Sequence, residues 1–140
     1  MKTMLIYWPI LAVLLIPIWV LLLNALRKKA ARQSGEQHAD SAINNKGWPL
    51  PVVLTSNALE NQFQFPIVFY VLCLILAQLG SVSIFALIVA WFFALARWGH
   101  ALVHVTSNTI TYRLSLFGLS CIALLVLFAH VVMVLLAHSA

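Results

Sequence analysis

Acidic residues are nearly missing from this 140-residue chain: Glu36, Asp40 and Glu60 are the three, against eight Lys and Arg. Charge of either sign makes up 8% of the sequence, while 64% is hydrophobic. So little charge excludes a soluble globular domain, which would need a charged surface around its core. Cysteine is scarce as well. Cys73 and Cys121 fall near the middle of apolar stretches, where they read as small buried hydrophobes rather than as a disulfide or a nucleophile, and say nothing about redox compartment. Alternation of apolar with polar residues is missing too, which excludes membrane-spanning strands. There is no convincing internal repeat and no low-complexity tract.

What the chain has in quantity is long apolar runs. Four of them, at about 4–26, 57–79, 82–105 and 112–137, each approach or exceed the ~20 residues needed to cross ~30 Å of hydrocarbon. Backbone polar groups must be satisfied within the segment there, so the runs predict helices. The mean hydropathy of +1.02 agrees. The expected fold class is all-α: one domain over 1–140, an integral membrane four-helix bundle with antiparallel up-down connections. The first run follows Lys2 and ends at Asn24-Ala25-Leu26-Arg27-Lys28-Lys29 without a small-x-small cleavage pattern, so it is expected to be a retained helix and not a signal peptide.

Between the first two runs lies the one long polar segment, 27–56. It carries Arg27, Lys28, Lys29, Arg32 and Lys46, and an excess of basic residues marks a cytoplasmic loop. Both termini are then expected on the opposite side, in the inner membrane of a bacterial cell. The net charge of +5 is mostly this juxtamembrane run. It suits anionic lipid headgroups and needs no nucleic acid to explain it. Trp48 has the character of a residue at the membrane interface.

Ionisable groups inside the runs are the functional signal. Each costs about 2.5–3.5 kcal/mol at the centre of a membrane helix, so such a group normally faces a protein interior or a polar site. Asn57, Glu60 and Gln64 are spaced i, i+3, i+7, and Arg97, His100 and His104 repeat that spacing. Each set is expected on one helical face. The Gly80-Ser81 hairpin predicts that the two helices are antiparallel neighbours, which brings both faces to the cytoplasmic level beside Arg113. Three chemistries suit the cluster. Glu60 can pair with Arg97 in a purely structural salt bridge, with the amides joining helices by hydrogen bonds. One acid cannot neutralise both Arg97 and Arg113, however, and the surplus positive charge suits an anionic ligand. His100 and His104, at i and i+4, are a workable metal pair, but neither Cys is at their level, Glu60 is the one nearby carboxylate and the arginines repel a cation. No metal is expected.

Asn57-x-x-Glu60 with Pro66, Arg97-x-x-His100 and Arg113 together resemble the signature of the MAPEG family, the membrane-associated proteins of eicosanoid and glutathione metabolism. Arg27-Lys28-Lys29-Ala30 resembles the prostaglandin E synthase branch. The resemblance covers essentially the whole chain. It implies a homotrimer with glutathione bound between subunits near the cytoplasmic side, and a lipophilic electrophile arriving from the bilayer. Asn57 and Glu60 would bind glutathione; Arg97 and His100, with His104 on the same stripe, would bind or support it. Arg113 would hold the thiolate, the nucleophilic form of a thiol whose unperturbed pKa is about 8.5. The activity so implied is that of a glutathione-dependent transferase or peroxidase. The chain departs from the family pattern at Val53 and Ser56, where arginines are expected, and at His104 and Phe117, where tyrosines are. The alternative is a non-catalytic scaffold or accessory subunit that keeps the fold.

Overall fold

A computed structural model describes residues 2–139. Among the described residues every regular element is helical. A 3-10 turn over Lys2–Ile6 leads into α1 (Tyr7–Gln33); α2 (Leu50–Glu60), α3 (Phe65–Gln78), α4 (Ile84–Val105) and α5 (Ile110–Ser139) follow. A 3-10 turn at Asn61–Phe63 joins α2 to α3. Four stretches are long and apolar enough to cross a membrane: Thr3–Gln33, Leu50–Gln78, Ile84–Val105 and Ile110–Ser139.

Local chemistry sets the ends. Gly35 takes a left-handed φ of 74° after α1, which lets Glu36 N–H reach the Ala31 carbonyl at 3.1 Å and Gly35 N–H the Arg32 carbonyl at 3.3 Å. This is a glycine-terminated helix end, and Gly80 repeats it after α3. Ser83 starts α4 by accepting Ala86 N–H on its hydroxyl at 3.1 Å.

The second span differs from the single helix expected over 57–79. It begins at Leu50, with Pro51 in its first turn, where a missing N–H costs nothing. It then breaks at 61–64. Pro66 cannot supply the N–H that a continuous helix would need at that position, and Gln64 turns aside with φ −102° and ψ −105°. The helix restarts with Pro66 in the first turn of α3. Gln64 is therefore not on the face of Asn57 and Glu60, and its side chain is exposed. α1 is also longer than expected, so the connecting loop shrinks to 34–49.

The bundle is closed by α1 against α2, α3 and α4, and by α5 against α3 and α4. The hairpin helices meet at their loop end, where α2 touches α4; α3 packs mainly on α1 and α5. α1 and the 3-10 turn before it contribute a buried seam of Ile6, Ile10, Val13, Ile16, Val20 and Asn24, at helical spacing. Phe69 of α3 and Phe93 of α4 stack 4.3 Å apart in the centre. Outward faces carry exposed Leu, Ile and Phe, among them Leu15, Ile18, Ile88, Leu95 and Leu125. That inversion of a soluble surface fits hydrocarbon solvent, and the chain is an integral, multi-pass membrane protein.

The polar loop is not loose at the end of α1. Trp48 is buried beneath it, donates its indole N–H to the Ser41 carbonyl at 3.0 Å, and has Lys28 and Arg32 over its ring at 5.3 and 5.5 Å.

Candidate functional site

At the loop end, α2, α4 and α5 enclose a cleft of about 320 Å3 lined by Asn57, Asn61, His100, His104, Arg113, Leu114 and Phe117. Four of the six residues singled out by the sequence line it: Asn57, His100, His104 and Arg113. Glu60 and Arg97 do not.

Arg113 lies in the first turn of α5, half-buried. Its Nη1 donates to the Asn108 side-chain oxygen at 2.7 Å. His100 donates from Nδ1 to the Arg113 carbonyl at 3.0 Å. In the neutral imidazole that bond puts the proton on Nδ1 and leaves a lone pair on Nε2, which is buried with no partner among the described residues. His104, one turn further along α4, stands edge-on to His100 with ring centres 5.7 Å apart, and its Nδ1 is likewise buried and unpartnered. Phe117 closes the other side, 5.7 Å from His100 and 5.3 Å from Phe65. On α2, the Asn57 side-chain oxygen accepts from the Asn45 side-chain amide of the loop at 3.2 Å.

Arg97 is fully buried one turn behind the cleft. Its Nη2 donates to the Asn61 carbonyl at 2.9 Å and to the Gln62 side-chain oxygen at 3.2 Å. Nε and Nη1 have no partner among the described residues. The salt bridge considered between Glu60 and Arg97 is not formed: the one close approach of a basic to an acidic side chain among the described residues is that of His38 Nδ1 to Asp40, at 3.8 Å. The physical reason is the break after α2. It aims the Asn61 carbonyl and Gln62 inward at Arg97, while Glu60 stays exposed on the outer surface. No group of three His, Cys, Asp or Glu side chains is placed to hold a metal ion among the described residues.

Three residues of this region were not anticipated. Asn61 and Gln62 lie in the break, and their signal was Pro66, which stops a helix four residues later. Asn108 is in the link between α4 and α5, and its signal was an Asn between two helical runs, a residue type that suits turns. Two further polar links hold the loop end together. Arg27 donates to the Pro51 carbonyl at 2.8 Å and to the Val105 carbonyl at 2.9 Å. The buried Thr55 hydroxyl donates to Asn24 at 2.9 Å. Ser56, where the family pattern has an arginine, is 3.4 Å from the same Asn24 oxygen. Cys73 is buried and Cys121 half-buried, both as free thiols. At the opposite end His130 bonds Ser83 at 3.2 Å and His138 bonds Ser81 at 3.3 Å, far from the cleft.

The cleft is thus polar on one wall and aromatic on the other. It offers amides from α2 and the turn after it, one cation from α5 and two unpartnered imidazole nitrogens from α4, a set suited to an anionic, amide-bearing ligand. Neither curated proteins nor solved structures gave a significant match. A model of the MAPEG family matches residues 5–133, nearly the whole chain. The fold, a membrane bundle of four spanning helices, is that family's, and its members generally use glutathione. The chain belongs to the MAPEG family.

Proposed function

We propose that the protein is a membrane-embedded, glutathione-dependent transferase or peroxidase acting on lipophilic electrophiles, with the cleft at Arg113 as its glutathione site. The observation that carries this reading is the convergence of Asn57, His100, His104 and Arg113 on one cleft at the loop end. Bound there, glutathione supplies a thiol nucleophile. Asn57 and Asn61 offer amide groups to its peptide backbone. The His100 Nε2 lone pair accepts a hydrogen bond from an ammonium, amide or thiol donor. Arg113 favours thiolate over thiol by placing a guanidinium beside the sulfur. In the transferase reaction the sulfur forms a bond to the electrophilic carbon, the leaving group departs with its electron pair, and the thiol proton passes to solvent. The apolar rim of Leu114 and Phe117 gives a substrate dissolved in the bilayer a route to the sulfur.

The wider arrangement belongs to the same proposal: the loop end faces the cytoplasm, three copies assemble, and the exposed Glu60 meets a neighbouring subunit. The test is conjugation of glutathione to a chlorodinitrobenzene by purified protein in detergent. Wild type is expected to exceed the uncatalysed rate clearly and Arg113→Ala to fall at least tenfold, a loss of about 1.4 kcal/mol in transition-state binding. Equal, uncatalysed rates for both would remove the enzymatic reading.

A second reading, a non-catalytic member of the family, is favoured by one observation. The positions that would complete a cationic clamp are Val53 and Ser56, and Ser56 is turned to Asn24. It predicts no thermal stabilisation by millimolar glutathione. A rise in melting temperature that is lost in Arg113→Ala counts against it.

A further inference from the structure

We propose that Asn108 is a positioning residue: it aims the Arg113 guanidinium into the cleft without neutralising it. The kinetic part of this inference rests on the glutathione reading above; the geometric part does not.

Asn108 is the one non-glycine residue with positive φ among the described residues, at 48°. Left-handed backbone is disfavoured for most side chains, and Asn is among the few that tolerate it. The conformation has a purpose on each side of the residue. Its N–H turns back to the Val103 carbonyl at 2.8 Å and closes the end of α4. Its side-chain oxygen points forward to Arg113 Nη1 at 2.7 Å. The bond is short because the donor is charged.

The acceptor is an amide, and that choice matters. A carboxylate in the same place would hold the guanidinium as firmly but cancel its charge, and the cleft would lose the one cation that lines it. An amide fixes direction and leaves the charge for a ligand. Arg113 is held at its other end as well, through its carbonyl and His100 Nδ1 at 3.0 Å. A long flexible side chain is thereby fixed from α4 at the backbone and from the link at the tip. One of the five guanidinium N–H donors serves Asn108, and the others remain for a ligand.

Two substitutions separate side chain from backbone. Asn108→Gly keeps the left-handed turn, which glycine adopts freely, and removes the acceptor. Asn108→Asp keeps the acceptor and adds a negative charge. The first measurement needs no substrate: the rate of Arg113 modification by phenylglyoxal in detergent-solubilised protein, mapped by peptide mass, with circular dichroism to check helical content. Asn108→Gly is expected to react several-fold faster at Arg113 than wild type, and Asn108→Asp more slowly. Equal rates in wild type and Asn108→Gly, with helical content unchanged, overturn the positioning role.

The second measurement is glutathione conjugation. Asn108→Gly is expected to lower kcat about tenfold with little change in KM for the electrophile, as a misaligned group acts on the transition state more than on substrate binding. Asn108→Asp is expected to lose activity by charge cancellation while modifying slowly, a pairing that a merely destabilised turn would not give. Wild-type kcat in Asn108→Gly overturns the kinetic part. If wild type itself runs at the uncatalysed rate, the glutathione reading falls, and the phenylglyoxal rates alone keep or discard the role of Asn108.

Discussion

The Arg27 guanidinium reaches carbonyls on two other helices, Pro51 at 2.8 Å and Val105 at 2.9 Å. One belongs to the first turn of α2, and the other is the last residue of α4, whose carbonyls have no partner within the helix. The bond to Pro51 is exposed and the one to Val105 part-buried, so solvent screening holds their worth to about 0.5–1.5 kcal/mol. Arg27→Ala is therefore expected to lower stability in detergent by about that amount. Arg27→Lys should recover only part, since one ammonium does not copy the planar fork. Chemical unfolding curves for the three proteins check this, and an Arg27→Lys protein as stable as wild type would contradict it. In the sequence Arg27 reads as the first residue of a lipid-facing basic run, because composition does not separate a cation that faces headgroups from one that staples helices. The cleft residues were more legible. His100, His104 and Arg113 are polar groups in apolar segments, and such groups must face something polar. Arg97 obeyed the same rule, yet its partners are a backbone carbonyl and an amide that no side-chain pattern announces.

At the level of elements, the pattern of apolar residues located all four spans but not the break within the second. Hydropathy falls through Glu60-Asn61-Gln62-Phe63-Gln64, but polar residues within a membrane segment also suit an inward helical face, so the dip alone did not mark a break. Pro66 was visible, and a proline in a membrane helix is compatible with either a bend or a stop. The break decides the site, because it turns Asn61 and Gln62 inward to Arg97 and leaves Glu60 outside. The α4–α5 seam is the other element-level determinant. A Cβ placed on Gly99 would lie 3.2 and 3.3 Å from the two terminal methyl carbons of Leu116. Those are ends of a flexible side chain, so Gly99→Ala has room to adjust, and the better helix propensity of Ala, about 1 kcal/mol, offsets the crowding. Gly99→Leu has no such room. It is expected to cost about 1–3 kcal/mol and to push α5 from α4, which lengthens the bond from His100 to the Arg113 carbonyl. Unfolding measurements on both variants test this: near-wild-type stability for Ala and clear loss for Leu is the expected pair, and equal effects would mean the seam is not tightly packed there.

For the whole molecule, the fold follows from solvent. Four apolar helices with few charges have one class of stable arrangement, and that much was readable from composition. Assembly was not, because a face that meets lipid and a face that meets another subunit are both apolar. The groove of about 830 Å3 along α1, lined by Leu11, Leu15, Ile18, Phe63 and Trp91, illustrates this, since its residues suit either neighbour. Glu60 is more discriminating. It is exposed and does not line the cleft of its own chain. In the proposed trimer it is the natural contribution of one subunit to the cleft of the next. The two geometries separate in mixed trimers. Glu60→Gln and Arg113→Ala subunits are each expected to be inactive alone. Unfolded together in equal amounts and reassembled, they place an intact Glu60 against an intact Arg113 in about one quarter of inter-subunit sites, by the statistics of a cyclic trimer. Conjugation should then return to about one quarter of wild type. If Glu60 and Arg113 serve the same cleft from the same chain, every site keeps one lesion and the mixture stays inactive.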